Sequence, residues 1–438
     1  MSELSIKRNV FLSVAVQMIS FFVSLVLNLF LPKYLNKYEY SLWQTFLLYV
    51  SFVPFFHLGF LDGLMLRYSQ YDYESLNMPL MRSQLRIFII VESIFSLIVL
   101  SLAFFYSGNI QLILCFIAVA VLTTNLFTYN SYLFQLTNRI SKYAQFVLIL
   151  RISLGLGVIL VLFLGASHFY EICFVYFAAH MIAIIWGFAN NNRLFNGNSV
   201  VVKKGWMEFR KNIFAGSQLL VANLSAMLLI SGAKLVVQLH FDPIVFGQVA
   251  FSFNVSNLFL VFITAASIAI FPSLKRVDKS LIPGLYLKIR RSITPFLFVA
   301  LIFYFPGCYI LEWWLPDYHQ SLCFLGILMP LVVFSSRVTL LTNNYLKAYR
   351  KEFVMLMINI VSVIFALSLF VLGAYVFDSV LFVLFSLLLV IILHSIVSEI
   401  VVMRLISQSL KINILIESIL VFLYVLVVLK FNGFSIPV

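Results

Sequence analysis

Residues 353–374 read FVMLMINIVSVIFALSLFVLGA and residues 378–402 read DSVLFVLFSLLLVIILHSIVSEIVV, with only three residues between the two stretches. Each stretch is long enough to cross a bilayer core about 30 Å thick, which takes about 20 apolar residues in a helix. Lipid offers the backbone no hydrogen bonds, so only helices and closed barrels cross it. The two stretches therefore predict a pair of membrane-spanning helices joined by a tight turn.

The same pattern continues along the whole chain, in which 63% of the 438 residues are hydrophobic and only 10% are charged. A soluble protein has about 25% charged residues. We therefore predict an all-α polytopic membrane protein with twelve spans and a last apolar segment, residues 414–429, that is just long enough to span. The twelve predicted spans are residues 10–31, 43–65, 86–106, 110–134, 146–165, 171–189, 213–237, 246–271, 292–311, 322–342, 353–374 and 378–402.

Most of the 29 Lys and Arg residues lie in alternate loops, on the same side of the membrane as the N-terminus. Such an asymmetry in short loops marks the cytoplasmic side. We therefore expect a cytoplasmic N-terminus, whereas the side of the C-terminus depends on whether residues 414–429 span. The net charge of +13 then has a topological origin, and no nucleic-acid partner is expected because the chain has no basic soluble domain.

A basic loop separates two sets of six predicted spans. Short matches relate the two halves, such as RNVF at residues 8–11 and KNIF at residues 211–214, although chance similarity of apolar sequence is an alternative. Six helices per half predict parallel pseudo-repeats, and transporters built from such repeats bind substrate between them. The expected segments are a first bundle at residues 1–189, the basic linker at residues 190–212, a second bundle at residues 213–402 and a C-terminal segment at residues 403–438.

Ionisable side chains within spans are informative because each costs about 2.5–3.5 kcal/mol at the bilayer centre on insertion scales and rarely faces lipid. Three of them, Arg151, Lys234 and Arg337, are basic, and the sequence offers them few carboxylate neighbours. Guanidinium and ammonium groups lining a cavity suit a phosphate-bearing substrate. The alternative is that these long side chains reach along the helix to the membrane surface.

Two acidic side chains within spans, Asp62 and Glu92, are candidates for coupling transport to a gradient. A carboxylate in a desolvated pocket can take up and release a proton. The alternative is a structural pair with a basic neighbour. Asn125 and Asn257 add neutral polar groups to the predicted cavity, unless they serve hydrogen bonds between helices.

The sequence contains no catalytic constellation, nucleotide-binding loop or metal-binding His/Cys spacing. We therefore expect no cofactor, no metal and no enzymatic activity, and we expect the energy for transport to come from a gradient.

Three segments carry a resemblance to a known family. They are PKYLNKYEYSLW at residues 32–43, LGFLDGLMLRY at residues 58–68 and NYLKAYRK at residues 344–351. In order and spacing over about the first 400 residues, the chain resembles the Wzx-type O-antigen and polysaccharide flippases. These belong to the multidrug/oligosaccharidyl-lipid/polysaccharide (MOP) exporter superfamily.

The resemblance implies a MATE-like fold of two six-helix bundles in the bacterial inner membrane. It implies a flippase that moves undecaprenyl-pyrophosphate-linked repeat units of O-antigen, lipopolysaccharide or another surface polysaccharide to the periplasmic leaflet. Coupling to protons or sodium is implied, as are a polysaccharide polymerase and a chain-length regulator as partners besides the membrane lipids. The family has a charged central cavity, and only Asp62 and Arg67 map to a motif here, so Arg67 joins the predicted cavity residues.

Two rival functions stay open. A MATE-like multidrug antiporter would carry organic cations, which favour an acidic cavity, whereas three of the five deepest charges here are basic. A polytopic O-antigen polymerase would need sizeable periplasmic loops, and the predicted outer loops are short.

Overall fold

The computed structural model describes residues 3–258, 282–407 and 411–432, which form helices and no β-strand. The chain divides into two compact units, unit 1 (Met1–Leu224) and unit 2 (Ser225–Val438). Ten of the described helices are long and apolar enough to cross a membrane, or up to eleven spans if one bent pair is counted. The chain is a multi-pass membrane protein, and the predicted all-α polytopic fold is confirmed.

Unit 1 consists of seven helices and the first part of an eighth, which continues into unit 2. They are α1 (Glu3–Tyr34), α2 (Lys37–Phe52), α3 (Phe60–Tyr68), α4 (Met78–Ala103), α5 (Gly108–Leu136), α6 (Ile140–Phe163), α7 (Phe169–Ala189) and α8 (Val202–His240). Helix α5 is central, since it packs against α2, α3, α4, α6 and α7. Stacked rings of Phe60, Phe88 and Tyr129 join α3, α4 and α5, with centroids 5.2 and 5.8 Å apart.

The second predicted span, residues 43–65, is interrupted. Helix α2 stops at a 3-10 turn over Val53–His57, and α3 continues at an angle of 55°. Leu58 and Gly59 have left-handed backbone, with φ of 53° and 83°, and Pro54 in the turn has no N–H for a helix bond. Hydropathy predicts the span but does not reveal the break, because the break is nearly as apolar as its flanks.

Helix α8 begins at Val202, earlier than residue 213, where the seventh span was expected. The basic linker at residues 190–212 is therefore partly helical. Arg82 holds the irregular part of this linker, since its Nε and Nη2 donate to the carbonyl oxygen of Arg193 at 3.0 and 2.8 Å. The basic residues at this end of unit 1 thus fix a loop as well as supplying charge.

Unit 2 contains the rest of α8 and the helices that follow it. These are α9 (243–258), α10 (Ile282–Ile302), α11 (Tyr304–Trp314), α12 (His319–Arg337), α13 (Asn343–Ala348), α14 (Glu352–Tyr375), α15 (Val380–Leu405) and α16 (Lys411–Phe431). Helix α12 forms the core, since nearly all of its side chains are buried and it packs against α10, α11, α15 and α16. A π-helical turn, Val338–Thr342, joins α12 to α13.

Three predicted segments of unit 2 have particular outcomes. The span expected at residues 292–311 is divided between α10 and α11, which meet at Phe303. The span expected at residues 246–271 begins within α9, and its part beyond residue 258 lies outside the described residues. The last segment, residues 414–429, lies within α16 and packs against α12, so it belongs to the helical core of unit 2.

Candidate functional site

Helix α3 lies against α8 with direct contact between the two backbones. Gly59, which directly precedes α3, and Gly63 on α3 face Gly216 and Asn212 on α8. A Cβ atom added to Gly63 or Gly216 would overlap the opposite backbone. Small residues spaced four apart let membrane helices approach this closely. The spacing of Gly59 and Gly63 is the sequence signal for this contact, and the hydropathy pattern does not reveal it.

Arg67, a predicted cavity residue, joins α3 to α8. Its Nη2 donates to the Glu208 carboxylate at 2.7 Å, and its Nη1 donates to the side-chain oxygen of Asn212 at 2.5 Å. Glu208 also accepts a hydrogen bond from Lys211 at 2.6 Å, and Asn212 donates one to Gln84 on α4 at 2.6 Å. The guanidinium is thus committed to a polar network that fixes the helix after the break.

Asp62 lies in the first turn of α3, directly after the break, and only 3% of it is exposed. His57 Nε2 lies 4.0 Å from its carboxylate, and the Tyr132 hydroxyl on α5 is also near it. Neither Lys nor Arg pairs with it in the described part of the chain. The N-terminus of a helix favours negative charge. The arrangement therefore suits a carboxylate that exchanges a proton with a neighbouring His or Tyr.

Glu92 on α4 and Asn125 on α5, both predicted site residues, are in direct contact and fully buried. The Asn125 Nδ2 atom donates to Glu92 Oε2 at 2.6 Å and to the carbonyl oxygen of Val53 at 3.3 Å. Val53 begins the 3-10 turn that interrupts the second span. The remaining oxygens, Glu92 Oε1 and Asn125 Oδ1, have no hydrogen-bond partner within residues 3–258, 282–407 and 411–432.

Two predicted cavity cations, Arg151 in unit 1 and Lys234 in unit 2, have no carboxylate within ion-pair distance among the residues that the structure describes. Arg151 on α6 is partly buried near Tyr143 and Tyr176, and its Nε atom is buried without an acceptor. Lys234 on α8 is also partly buried, with Nζ 4.7 Å from the centre of the Phe253 ring. A ring contact is worth about 0.5–2 kcal/mol and leaves the charge in place. Neither cation is therefore neutralised by a carboxylate of the described residues.

Arg337, the third predicted cavity cation, lies in a buried cluster of four charges in unit 2, with 2% of its side chain exposed. Its Nη1 pairs with Glu417 on α16 and lies 3.5 Å from Glu399 on α15. Arg290 on α10 contacts the same two carboxylates, at 2.5 Å for Glu399 and 2.8 Å for Glu417. Two Arg and two Glu give this buried cluster no net charge.

The expectation of few carboxylates near Arg337 is therefore wrong. Glu399 and Glu417 both contact it, and Ser395 Oγ accepts hydrogen bonds from its Nε and Nη2 at 3.3 and 3.2 Å. Its guanidinium is occupied by partners within unit 2, so it is not available to a substrate anion in this arrangement. The presence of two carboxylates, Glu399 and Glu417, within apolar helices was the sequence signal for such a cluster.

The predicted site residues thus fall into several groups. Asp62 and Arg67 lie on α3, Glu92 pairs with Asn125, Arg151 and Lys234 lack carboxylate partners among the described residues, Arg337 lies in the charge cluster, and Asn257 is exposed on α9.

No protein-family model matches the sequence, and no curated protein is similar to it. Solved structures do match. The lipid II flippase MurJ in an inward closed conformation is similar with a TM-score of 0.61 and 13% identity, over 95% of this chain and 97% of that chain. An inward-facing multidrug resistance MATE family transporter of the MOP superfamily has a TM-score of 0.63 and 9% identity, over 91% and 98%. The chain has the MurJ and MATE fold.

A third structure with the MurJ and MATE fold, a MOP superfamily transporter from Pyrococcus furiosus, matches with a TM-score of 0.54 and 9% identity, over 91% of this chain and 94% of that chain. The predicted MATE-like fold is confirmed. Because a lipid flippase and multidrug transporters share this fold, the choice between such cargoes depends on the residues of the site.

Proposed function

We propose that this protein is a flippase for undecaprenyl-pyrophosphate-linked oligosaccharide, the repeat unit of O-antigen or another surface polysaccharide. It moves the glycan from the cytoplasmic to the periplasmic leaflet of a bacterial inner membrane by alternating access. The basic loops favour a cytoplasmic N-terminus. The observation that carries the proposal is that Arg151 and Lys234 lie within spans and lack a carboxylate partner among the described residues.

A pyrophosphate is the kind of group that these two cations bind best. A guanidinium contacts it through paired hydrogen bonds, and an ammonium acts as a point charge. The chain supplies its own carboxylates to Arg337 and Arg290. It leaves Arg151 and Lys234 without such partners in the described residues, which supports an anion from outside as the counter-charge of each.

Asp62 is the proposed coupling residue, with Glu92 as the second candidate. The Asp62 carboxylate lies next to His57 and Tyr132, at the start of the helix that follows the break. Protonation there would alter the charge at the one point where the span is already interrupted. We propose that a proton taken up at Asp62 drives the return of the empty transporter.

A multidrug exporter of organic cations is the second candidate function. It is favoured by Asp62 and Glu92, two buried carboxylates without a Lys or Arg partner in the described ranges. Cations would then bind where the flippase proposal places protons. The two functions differ in the sign of the charge on the cargo. Deletion of the gene should therefore have a different effect for each function.

Deletion of the gene separates these functions in the cell. We expect lipid-linked repeat units to accumulate on the cytoplasmic leaflet, because they are made there and cannot cross unaided. A membrane-impermeant glycan label, applied to spheroplasts and to opened membranes, reports the leaflet. Unchanged repeat units together with greater sensitivity to organic cations would support the exporter. Single unpolymerised units on the outer leaflet would indicate a polymerase.

A further inference from the structure

Glu92 and Asn125 form a buried pair with one hydrogen bond between them and two oxygens without a described partner. Neither side chain is exposed, and Asn125 Nδ2 donates to Glu92 Oε2 at 2.6 Å. Glu92 Oε1 and Asn125 Oδ1 both lack a partner among the described residues. Both of these atoms are acceptors, and buried acceptors rarely stay unpaired. The pair therefore lacks a hydrogen-bond donor for these two oxygens.

An ionised Glu92 would face no positive group among the residues that the structure describes. Helix α5 presents the Asn125 amide and the 3-10 turn presents the Val53 carbonyl oxygen, and neither group titrates. The titratable group of that turn, His57, accepts a hydrogen bond at Nδ1 from the Gly59 N–H at 3.0 Å and faces Asp62 with Nε2. An unpaired charge buried without water carries a large desolvation cost.

Helix α3 contacts α4 through Phe60 and Phe88, one turn from Glu92, and the titratable group at that end of α3, Asp62, is acidic. The remaining elements that contact α4 meet it far from Glu92. The turn over Asn192–Leu194 is bonded to Arg82, and α8 packs at Ser83 through Gly205. Arg82 is about 15 Å along the helix from Glu92 at 1.5 Å per residue. No charge from these elements therefore compensates a carboxylate at Glu92.

We infer that Glu92 holds a proton on Oε1 and donates it to Asn125 Oδ1, closing a cyclic acid–amide pair. A carboxylic acid and a primary amide bind each other through one N–H···O and one O–H···O hydrogen bond. The first is present at 2.6 Å, and a single proton would satisfy both unpartnered oxygens. With the amide turned over, Oδ1 would face Glu92 Oε2 at that same distance, where two bare oxygens also require a proton between them.

This proton site is connected to the interrupted span. The amide that pairs with Glu92 also donates to the Val53 carbonyl oxygen at 3.3 Å, and carbonyls at a helix end need partners from outside the helix. Loss of the proton would place a charge beside that carbonyl and favour a rearrangement of the turn. The inference deepens the proposed coupling, but the presence of the proton does not rest on flippase activity.

Infrared spectroscopy of the full chain in lipid nanodiscs at neutral pH tests the inference. The carbonyl stretch of a protonated carboxyl group is separate from the amide and carboxylate bands. We expect such a band in the native protein and its loss in Glu92→Gln, which keeps the ring by replacing O–H with N–H and should retain the melting temperature. Asp62→Asn, which changes the other buried carboxylate of unit 1, is the matched control and keeps the Glu92 band.

A second variant shows that the band arises from the pair. Asn125→Leu removes the acceptor, so the band should move to higher frequency. Absence of any band that Glu92→Gln removes from the folded protein would overturn the inference. Loss of the band on adding Na⁺ at constant pH would also overturn it, since the oxygens would then bind a metal ion. No transport is measured, so failure of the flippase proposal would leave this result unaffected.

Discussion

Glu417→Ala is expected to lower the free energy of unfolding by about 3–5 kcal/mol, the usual cost of removing one partner from a buried ion pair. Its loss leaves Arg337 and Arg290 to share Glu399, so one positive charge stays buried without a counter-charge. The side chains of the cluster are 0–7% exposed, so water does not replace the missing carboxylate. Unfolding in detergent, followed by tryptophan fluorescence, measures the effect.

Two variants control this measurement. The pair Arg337→Met and Glu417→Met removes one charge of each sign, leaves Arg290 with Glu399, and should recover most of the lost stability. Glu312→Ala breaks an exposed pair with His319 in the same unit, at 3.1 Å and with side chains 50% and 65% exposed. Such pairs are worth about 0–1 kcal/mol. Equal losses from Glu417→Ala and Glu312→Ala would contradict the role of the cluster.

Arg151→Gln and Lys234→Gln are each expected to reduce surface-polysaccharide display about tenfold or more, and the double variant to abolish it. A hydrogen bond to a charged group is worth about 1.5–3 kcal/mol, and about 1.4 kcal/mol corresponds to a factor of ten. Neither Arg151 nor Lys234 pairs with a described carboxylate, so both variants should still fold. The deletion strain, complemented with each variant at matched membrane levels, provides the measurement.

The matched controls for these variants are Lys203→Gln and Lys204→Gln, which neutralise exposed residues at the beginning of α8. They should leave display unchanged, so that a loss can be attributed to position and not to total charge. Normal display with both Arg151→Gln and Lys234→Gln in one chain would exclude these cations from the mechanism.

The spans could be predicted because each one is a local property of about 20 consecutive residues. The interruption after α2 could not be predicted from hydropathy, since the residues of the break are as suited to lipid as those around it. Pro54 and Gly59 were its only local signs. The contact of Gly63 with Asn212 joins α3 to α8. These helices are far apart in the sequence, so a local stretch of sequence does not show which helix α3 meets.

The charged residues show the same limit more clearly. Arg337 and Glu417 are separated by 80 residues, and Arg290 and Glu399 by 109, so only the packing of α10, α12, α15 and α16 brings them together. Counting carboxylates near Arg337 along the chain gave the wrong expectation for that reason. The same reasoning predicted cations without carboxylate partners at Arg151 and Lys234, and the described residues supply none to either.

Reconstitution tests the central claim most directly. The purified protein is placed in vesicles with the undecaprenyl-pyrophosphate-linked glycan isolated from the deletion strain, and a membrane-impermeant label reports how much glycan reaches the other leaflet. We predict that the native protein moves the glycan, that Arg151→Gln with Lys234→Gln does not, and that organic cations are not carried. Transport of an organic cation by vesicles in which the glycan stays on its original leaflet would contradict the claim.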